Sequence, residues 1–172
     1  MIDEFVYNTK LKAVLSYLEP GLTLDVGCGD KRYTNKMPDS IGIDPNEEFE
    51  GAINKPDYIM KAEKLNFPNN SFHNICFLDT LEHIPEPEKA ISEAFRVVEP
   101  QGCMIIVDPN DEWLFAMRLM ALRFHAAFAG NPDHVHWFNQ EDIVNLTSSL
   151  FALLDVKRRL IFNVYKFRSY KV

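Results

Sequence analysis

Leu22-Thr23-Leu24-Asp25-Val26-Gly27-Cys28-Gly29-Asp30 is the stretch on which the fold turns. Its first five residues read as a short buried strand. The two glycines that follow let the main chain turn sharply and let a ligand come close to it. Upstream, Pro20-Gly21 ends a segment, residues 3–18, that fits an amphipathic helix capped by Asp3, with Phe5, Val6, Val14, Leu15 and Leu18 on one face. Downstream, strands are predicted at Ser40–Asp44, Tyr58–Met60 and Asn74–Leu78. Pro87 opens a helix with Ala90, Ile91, Ala94, Phe95 and Val98 at helical spacing, and Pro100-Gln101-Gly102 closes it. Cys103–Val107 is continuous and apolar, as a strand covered on both faces should be. Helices are predicted at Asp111–Phe128 and Gln140–Phe151, and two last strands near Leu153–Leu160 and Phe162–Lys171. Strands alternating with helices predict an α/β fold. The expected architecture is a doubly wound, mainly parallel, seven-stranded sheet, Rossmann-like, in one domain over residues 1–172. The last two strands are nearly contiguous and should pair antiparallel, because a parallel return needs a dozen or more residues.

The 172 residues are 47% hydrophobic and 25% charged, enough for one real core. The net charge of −7 argues against a dedicated nucleic-acid binder. Lys157, Arg158, Arg159, Lys166, Arg168 and Lys171 nevertheless make the C-terminal end locally basic, as a solvated strand surface or an RNA contact. Cys28, Cys76 and Cys103 are far apart, odd in number and set in apolar runs, which suits buried thiols in a reducing compartment. Met1-Ile2-Asp3-Glu4 has no basic or apolar leader pattern, so a cytoplasmic location is expected. Trp113–Ala129 carries Arg118, Arg123 and His125 and is too short and too charged to span a membrane. It reads as a buried helix or the contact of a homo-oligomer, as a lid over a hydrophobic acceptor, or as a surface-lying amphipathic helix.

In open α/β sheets ligands bind beyond the carboxyl ends of the strands, near the switch in strand order. Asp44, at the end of the second strand, either takes ribose hydroxyls or forms a turn before Pro45. The turn at 27–29 lacks the third glycine of the dinucleotide fingerprint, since position 32 is Arg, and no Gly-Lys-Ser/Thr follows it. A ligand with ribose and no pyrophosphate fits better.

Leu24-Asp25-Val26-Gly27-Cys28-Gly29 resembles motif I of class I S-adenosylmethionine (SAM)-dependent methyltransferases, and Ile41-Gly42-Ile43-Asp44 resembles their second motif. Ala62–Phe72 is similar to the A-E-x-L-P-F-x-x-x-S-F segment around the adenine pocket. Leu81-Glu82-His83-Ile84 and Ala94–Gly102 resemble the family's signatures after the fourth strand and before the fifth. His134–Phe138 resembles a segment preceding the last helix in many relatives. The resemblance implies SAM as cofactor. It implies Asp25 and the Gly27, Cys28 and Gly29 main chain at the methionine part, Asp44 at the ribose, and Pro45 and Asn46 bordering the adenosine. Ala62 and Glu63 would lie beside the adenine, and Asp79, Thr80 and Leu81 on the pocket floor near the sulfonium. Lys31 departs from the family where a third glycine is common, Lys61 where an Asp commonly contacts adenine, and His73 where an Asp is usual. The segment between Gly29 and Ile41 leaves room for only a turn or two of crossover helix.

Methyl transfer asks mainly that the acceptor be held in line and water excluded. A base is needed when the nucleophile is protonated, and His83, His134 and His136 are the candidate catalytic residues. Each also has a plain reading, His83 as a loop-ordering residue and the other two as ordering a loop over the pocket. Asp79, Glu82 and His83 could together hold a divalent ion, although Glu-His also occurs in relatives with no metal, and no metal site is assigned. The expected function is transfer of a methyl group from SAM to a small-molecule acceptor. The alternatives are a metal-assisted O-methyltransferase of a catechol-like or RNA 3′-end substrate, and a non-catalytic partner subunit of the same fold.

Overall fold

Helix α1 (Ile2–Leu15) leads through a turn into β1 (Thr23–Val26), and β2 (Ser40–Asp44) follows after a single 3-10 turn at Thr34–Lys36. Next come β3 (Tyr58–Ile59), β4 (Phe72–Leu78), a 3-10 turn at Leu81–His83 and α2 (Pro87–Val97). The order closes with β5 (Val98–Pro109), α3 (Gln140–Thr147), β6 (Phe151–Arg158) and β7 (Phe162–Ser169). This computed structural model describes residues 2–48, 54–110, 135–159 and 161–172. The helix expected at Asp111–Phe128 lies outside the described residues, as does His134.

The strands form one seven-stranded sheet in the order β3-β2-β1-β4-β5-β7-β6. All pairings are parallel except those of β7, which runs antiparallel to both β5 and β6. The last two strands thus pair as expected, and β7 is inserted between β5 and β6. The chain leaves β1 toward β2 and β3, then returns to the far side of β1 as β4, so strand order switches between β1 and β4.

Side chains alternate across the sheet. Ile75 and Phe77 of β4 and Met104 and Ile106 of β5 pack with α2 and α3 residues on one face. Cys76, Leu78, Ile105 and Val107 pack with Ala13, Val14 and Tyr17 on the other. The buried stripe of α1 holds Val14 and Ala13, whereas Phe5 (72% exposed) and Leu15 (39% exposed) turn away from it, contrary to the face expected from the sequence. Helix α2 passes into β5 without a loop, and the register break between Phe72 and Asn74 absorbs the Pro100-Gln101-Gly102 turn.

Near the amino end of β4, at the end of the sheet away from the glycine turn, Asn74 is fully buried with all four of its hydrogen-bonding positions filled. Its Oδ1 accepts from Glu19 N (3.0 Å) and Cys103 Sγ (3.1 Å), and its Nδ2 donates to Glu19 O (2.9 Å) and Thr23 Oγ1 (3.2 Å). The Glu19 carboxylate meets Arg168 (2.6 Å), Lys166 (2.7 Å) and His73 (3.3 Å). The Arg168 guanidinium holds that carboxyl at about 2, against the upward pull of burial, with Lys166 and His73 assisting. Its folded pKa lies below the unfolded value, so the stabilisation is present above pH 4.5 and is lost as pH falls toward 2. Glu19→Gln is expected to lower unfolding free energy by about 1–3 kcal/mol at pH 7 and to leave the difference much smaller at pH 2.5, read by urea denaturation at both pH values.

Candidate cofactor cavity

At the carboxyl end of β1, Gly27 and Gly29 take positive φ (72° and 53°), and Lys31 does too (62°). The Gly27 and Cys28 amides both donate to Ile43 O, at 2.8 and 2.9 Å, which folds the turn over the end of β2. A Cβ on Gly27 would lie 2.2 Å from Thr80 Cγ2, so this position can carry no side chain while Thr80 packs there. Beside the turn opens a cavity of about 500 Å³, within the range of small-molecule sites. It is lined by Gly27, Asp44, Pro45 and Asn46, by Met60–Glu63, and by Asp79, Thr80, His83, Ile84 and Pro85.

Asp44 is held at its floor by two main-chain donors, Gly29 N to Oδ2 (3.1 Å) and Asn46 N to Oδ1 (2.9 Å). Each carboxylate oxygen keeps a further acceptor position for a hydroxyl in the cavity. The Ala62–Asn70 segment is stapled in place by Arg96, whose guanidinium donates to Leu65 O and Phe67 O at 2.7 Å and to Asn69 Oδ1 at 3.0 Å. Glu93 completes the staple through Arg96 and the Leu65 amide. That is the physical content of the arginine in the motif before β5: it fixes the wall that carries Ala62 and Glu63.

Asp79 takes a left-handed conformation (φ 53°) after β4 and both its carboxylate oxygens accept from Lys10 Nζ at 2.6 Å. Lys10 comes from α1, fifteen residues before Asp25, and the sequence reading missed it. The only signal was a lysine in the inward stripe Val6, Lys10, Ala13, Val14 and Tyr17. Tyr7, one turn earlier on α1, donates to Arg32 O (2.9 Å) and packs on Tyr33 (4.9 Å between centroids). Helix α1 is therefore fastened across the turn and reaches the cavity through Lys10.

Of the residues singled out from the sequence, Gly27, Asp44, Pro45, Asn46, Ala62, Glu63, Asp79, Thr80 and His83 come together on this lining. Gly29 touches it through Asp44. Asp25, Cys28 and Leu81 do not line it. Leu81 turns inward from its 3-10 turn and is fully buried in the core. Cys28 is buried against Gly42, and burial, then the Asp25 and Asp44 charges, push its thiol up to about 12, so it remains neutral. Lys61, at the position where the family commonly has an acid, also lines the cavity. His136 lies outside it: its Nε2 approaches Pro85 O at 3.4 Å and its ring stacks on Phe138. The amides of Val135 and His136 donate to Glu82 O (2.8 and 3.1 Å), which ties that segment behind the rim. Among the described residues no three acidic, His or Cys side chains converge as a metal group, and Asp79 is engaged by Lys10.

The strand order, with the cavity at the β1/β4 switch and an acid at the end of β2, defines the class I methyltransferase fold. Residues 5–149 match the family model described as a methyltransferase domain, and the chain belongs to the class I SAM-dependent methyltransferase family. It is 29% identical over 121 residues to the 2-methyl-6-phytyl-1,4-hydroquinone methyltransferase of Synechocystis, covering 62% of this chain and 38% of that protein. It is 28% identical over 113 residues to a ubiquinone/menaquinone biosynthesis C-methyltransferase of Hydrogenovibrio crunogenus, covering 55% of this chain and 44% of that one. The chain thus spans less than half the length of either relative. A solved SAM-dependent methyltransferase from Thermotoga maritima shares the fold, with a TM-score of 0.75, 20% identity, and coverage of 95% of this chain and 89% of that one.

Asp25 is buried at the end of β1, with Oδ2 accepting from Thr34 Oγ1 at 2.6 Å and Oδ1 without a hydrogen-bond partner among the described residues. Burial raises its pKa to about 7, opposed by the Thr34 hydrogen bond and reinforced by the nearby Asp44 charge. The native state therefore holds a proton that the unfolded chain has released between pH 3.8 and about 7, and stability from this group falls as pH rises through that window. Asp25→Asn is expected to remove a slope worth on the order of 4 kcal/mol across the window. Denaturant midpoints from pH 4 to 8 should show the wild-type minus variant difference changing with pH, and a constant difference would refute the assignment.

Proposed function

We propose that this chain binds SAM in the cavity beside the glycine turn and transfers its methyl group to a small, partly apolar acceptor. The observation that carries the reading is Asp44, a carboxylate fixed by two main-chain donors with spare acceptor positions toward the cavity. Those positions suit the two hydroxyls of a ribose. Met60, Ala62 and Glu63 would flank the adenine, on the wall that Arg96 fixes. The Lys10–Asp79 pair complements the methionine end: an ammonium and a carboxylate would exchange partners with a carboxylate and an ammonium. Gly27, lacking a side chain, leaves main chain open to the ligand between these two ends.

When bound, SAM supplies an electrophilic methyl group on sulfur. The protein's part is then to orient an acceptor against that end of the cavity and to keep water out. His83, on the lining, is positioned to take a proton from a hydroxyl acceptor. Ile84 and Pro85 give the same rim an apolar character. The names of two relatives, a 2-methyl-6-phytyl-1,4-hydroquinone methyltransferase and a ubiquinone/menaquinone biosynthesis C-methyltransferase, support a small-molecule acceptor of partly apolar kind. Three buried, unpaired cysteines suit a reducing cytoplasm, and none of the described helices is long and apolar enough to cross a membrane.

Calorimetric titration with SAM and S-adenosylhomocysteine tests the cofactor reading directly: one-to-one binding is expected, and a folded chain that binds neither would overturn it. Asp44→Ala should weaken both by about 1–3 kcal/mol. Lys10→Met should weaken both about tenfold while leaving methylthioadenosine, which lacks the amino-acid end, unaffected. Equal loss for all three ligands would mean that Lys10 acts only through the fold.

A further inference from the structure

Helix α1 has a second flank. On the side away from Lys10, Phe5, Asn8, Thr9, Lys12, Ala13 and Ser16 face Lys157 and Arg159 across a groove of about 590 Å³. Among the described residues three cations line it and no carboxylate does, in a chain whose net charge is −7. The other basic residues near the C-terminus are already engaged. Lys166 and Arg168 meet Glu19 at 2.7 and 2.6 Å, and Lys171 Nζ donates to Arg96 O and Val98 O at 2.8 Å. Lys12, Lys157 and Arg159 form no ion pair among the described residues. The Asp155 carboxylate, which Lys157 also feels, is taken by the Tyr17 hydroxyl at 2.7 Å.

The groove is ordered before any ligand arrives. Lys157 Nζ donates to Ser16 Oγ and sits 3.9 Å from the centroid of the Tyr17 ring, which holds its charge at the groove wall. Arg159 is set by the turn between β6 and β7, where its amide donates to Phe162 O (2.9 Å) and its carbonyl accepts from Asn110 Nδ2 (2.9 Å). That turn lies at the carboxyl end of β5 and β6, the same end of the sheet as the cofactor cavity. Phe5, 72% exposed, leaves a bare aromatic face on the lining.

We propose that this groove is a second ligand site, for a small phosphate ester whose ring or apolar part packs on Phe5. Three cations on one groove, with the Asn8 amide beside them, match the charge and the acceptor-only oxygens of a phosphate. A groove of about 590 Å³ suits a small molecule. A nucleic acid would draw on a longer basic track, since phosphate contacts supply most of its affinity, and the described basic residues of the C-terminal strands that could extend one are engaged by Glu19, by Gln140 and by main-chain carbonyls. The site is independent of the cofactor reading and shares only helix α1 with it.

Phenyl phosphate is the probe, titrated by calorimetry and by NMR into the whole chain with and without saturating S-adenosylhomocysteine. One equivalent should bind, weaken as salt rises, be displaced by pyrophosphate, and be left in place by S-adenosylhomocysteine; phenol should not bind. The double variant Lys12→Gln/Arg159→Gln, at two exposed side chains, should raise the dissociation constant by about tenfold or more. Phe5→Ala should weaken phenyl phosphate and leave pyrophosphate unchanged. Displacement by S-adenosylhomocysteine, equal binding of phenol, or an unaltered constant in the double variant would overturn the site. So would binding of anionic vesicles or oligoribonucleotides by a chain inert to phenyl phosphate and pyrophosphate.

Discussion

The hydrogen bond from Thr34 to the buried Asp25 carboxylate carries the cofactor end of this molecule. The passage from β1 to β2 holds a single 3-10 turn where a helix would ordinarily cover the sheet, so that turn must lie directly on the strands. Gly42 makes this contact feasible: a Cβ there would stand 2.8 Å from Cys28 Sγ and 3.1 Å from Thr34 Oγ1. Asp25, paired in register with Gly42 on one side and Cys76 on the other, receives the Thr34 hydroxyl across that gap. The cost is a carboxyl that keeps its proton to near neutral pH. The gain is a short, rigid turn from which the Gly29 amide reaches Asp44, so one arrangement orders both the glycine turn and the acid beside it.

From there the cavity is assembled by distant clamps. Arg96 draws the Ala62–Asn70 wall onto α2, Thr80 fills the space above Gly27, and Lys10 brings α1 over the left-handed Asp79. None of these side chains belongs to the segment it holds. Helix α1 consequently serves two places, with Lys10 on Asp79 of the cavity lining and Lys12 in the basic groove. Their two-residue spacing, about 200° around the helix, explains how one short element can reach both.

Much of this was legible before any coordinates. The strand at Leu24–Val26, the abbreviated crossover, the alternation of strands and helices and the antiparallel final pair all follow from local pattern. Gly27, Asp44, Ala62, Asp79 and Thr80 sit just past strand ends or in a recognisable segment, and they meet around one cavity. What failed were statements that depend on where a side chain points once the chain has turned. The family resemblance implied a ligand contact for Asp25, whereas strand alternation turns its side chain toward Thr34. Leu81 was placed on the pocket floor, whereas a 3-10 turn after β4 rotates it into the core. His136 was grouped with His134 by spacing and by the resemblance of their segment, and its ring goes to Pro85 O. The insertion of β7 between β5 and β6 was hidden because a tight turn specifies one neighbour of a strand and says nothing of the other. Lys10 was hidden because its partner lies 69 residues away.

The fastening of α1 has a bearing on how the chain reaches this state. Its end is secured by Tyr17 on Asp155, 138 residues away, and by Glu19 on Lys166 and Arg168, 147 and 149 residues away. The segment that follows α1 therefore finds these anchors in β6 and β7. Contacts of such long range close late, after the loop entropy between them has been overcome. Until β6 and β7 have joined the sheet, Tyr17 and Glu19 lack these partners, so the final fastening of the segment after α1 follows the closing of the sheet.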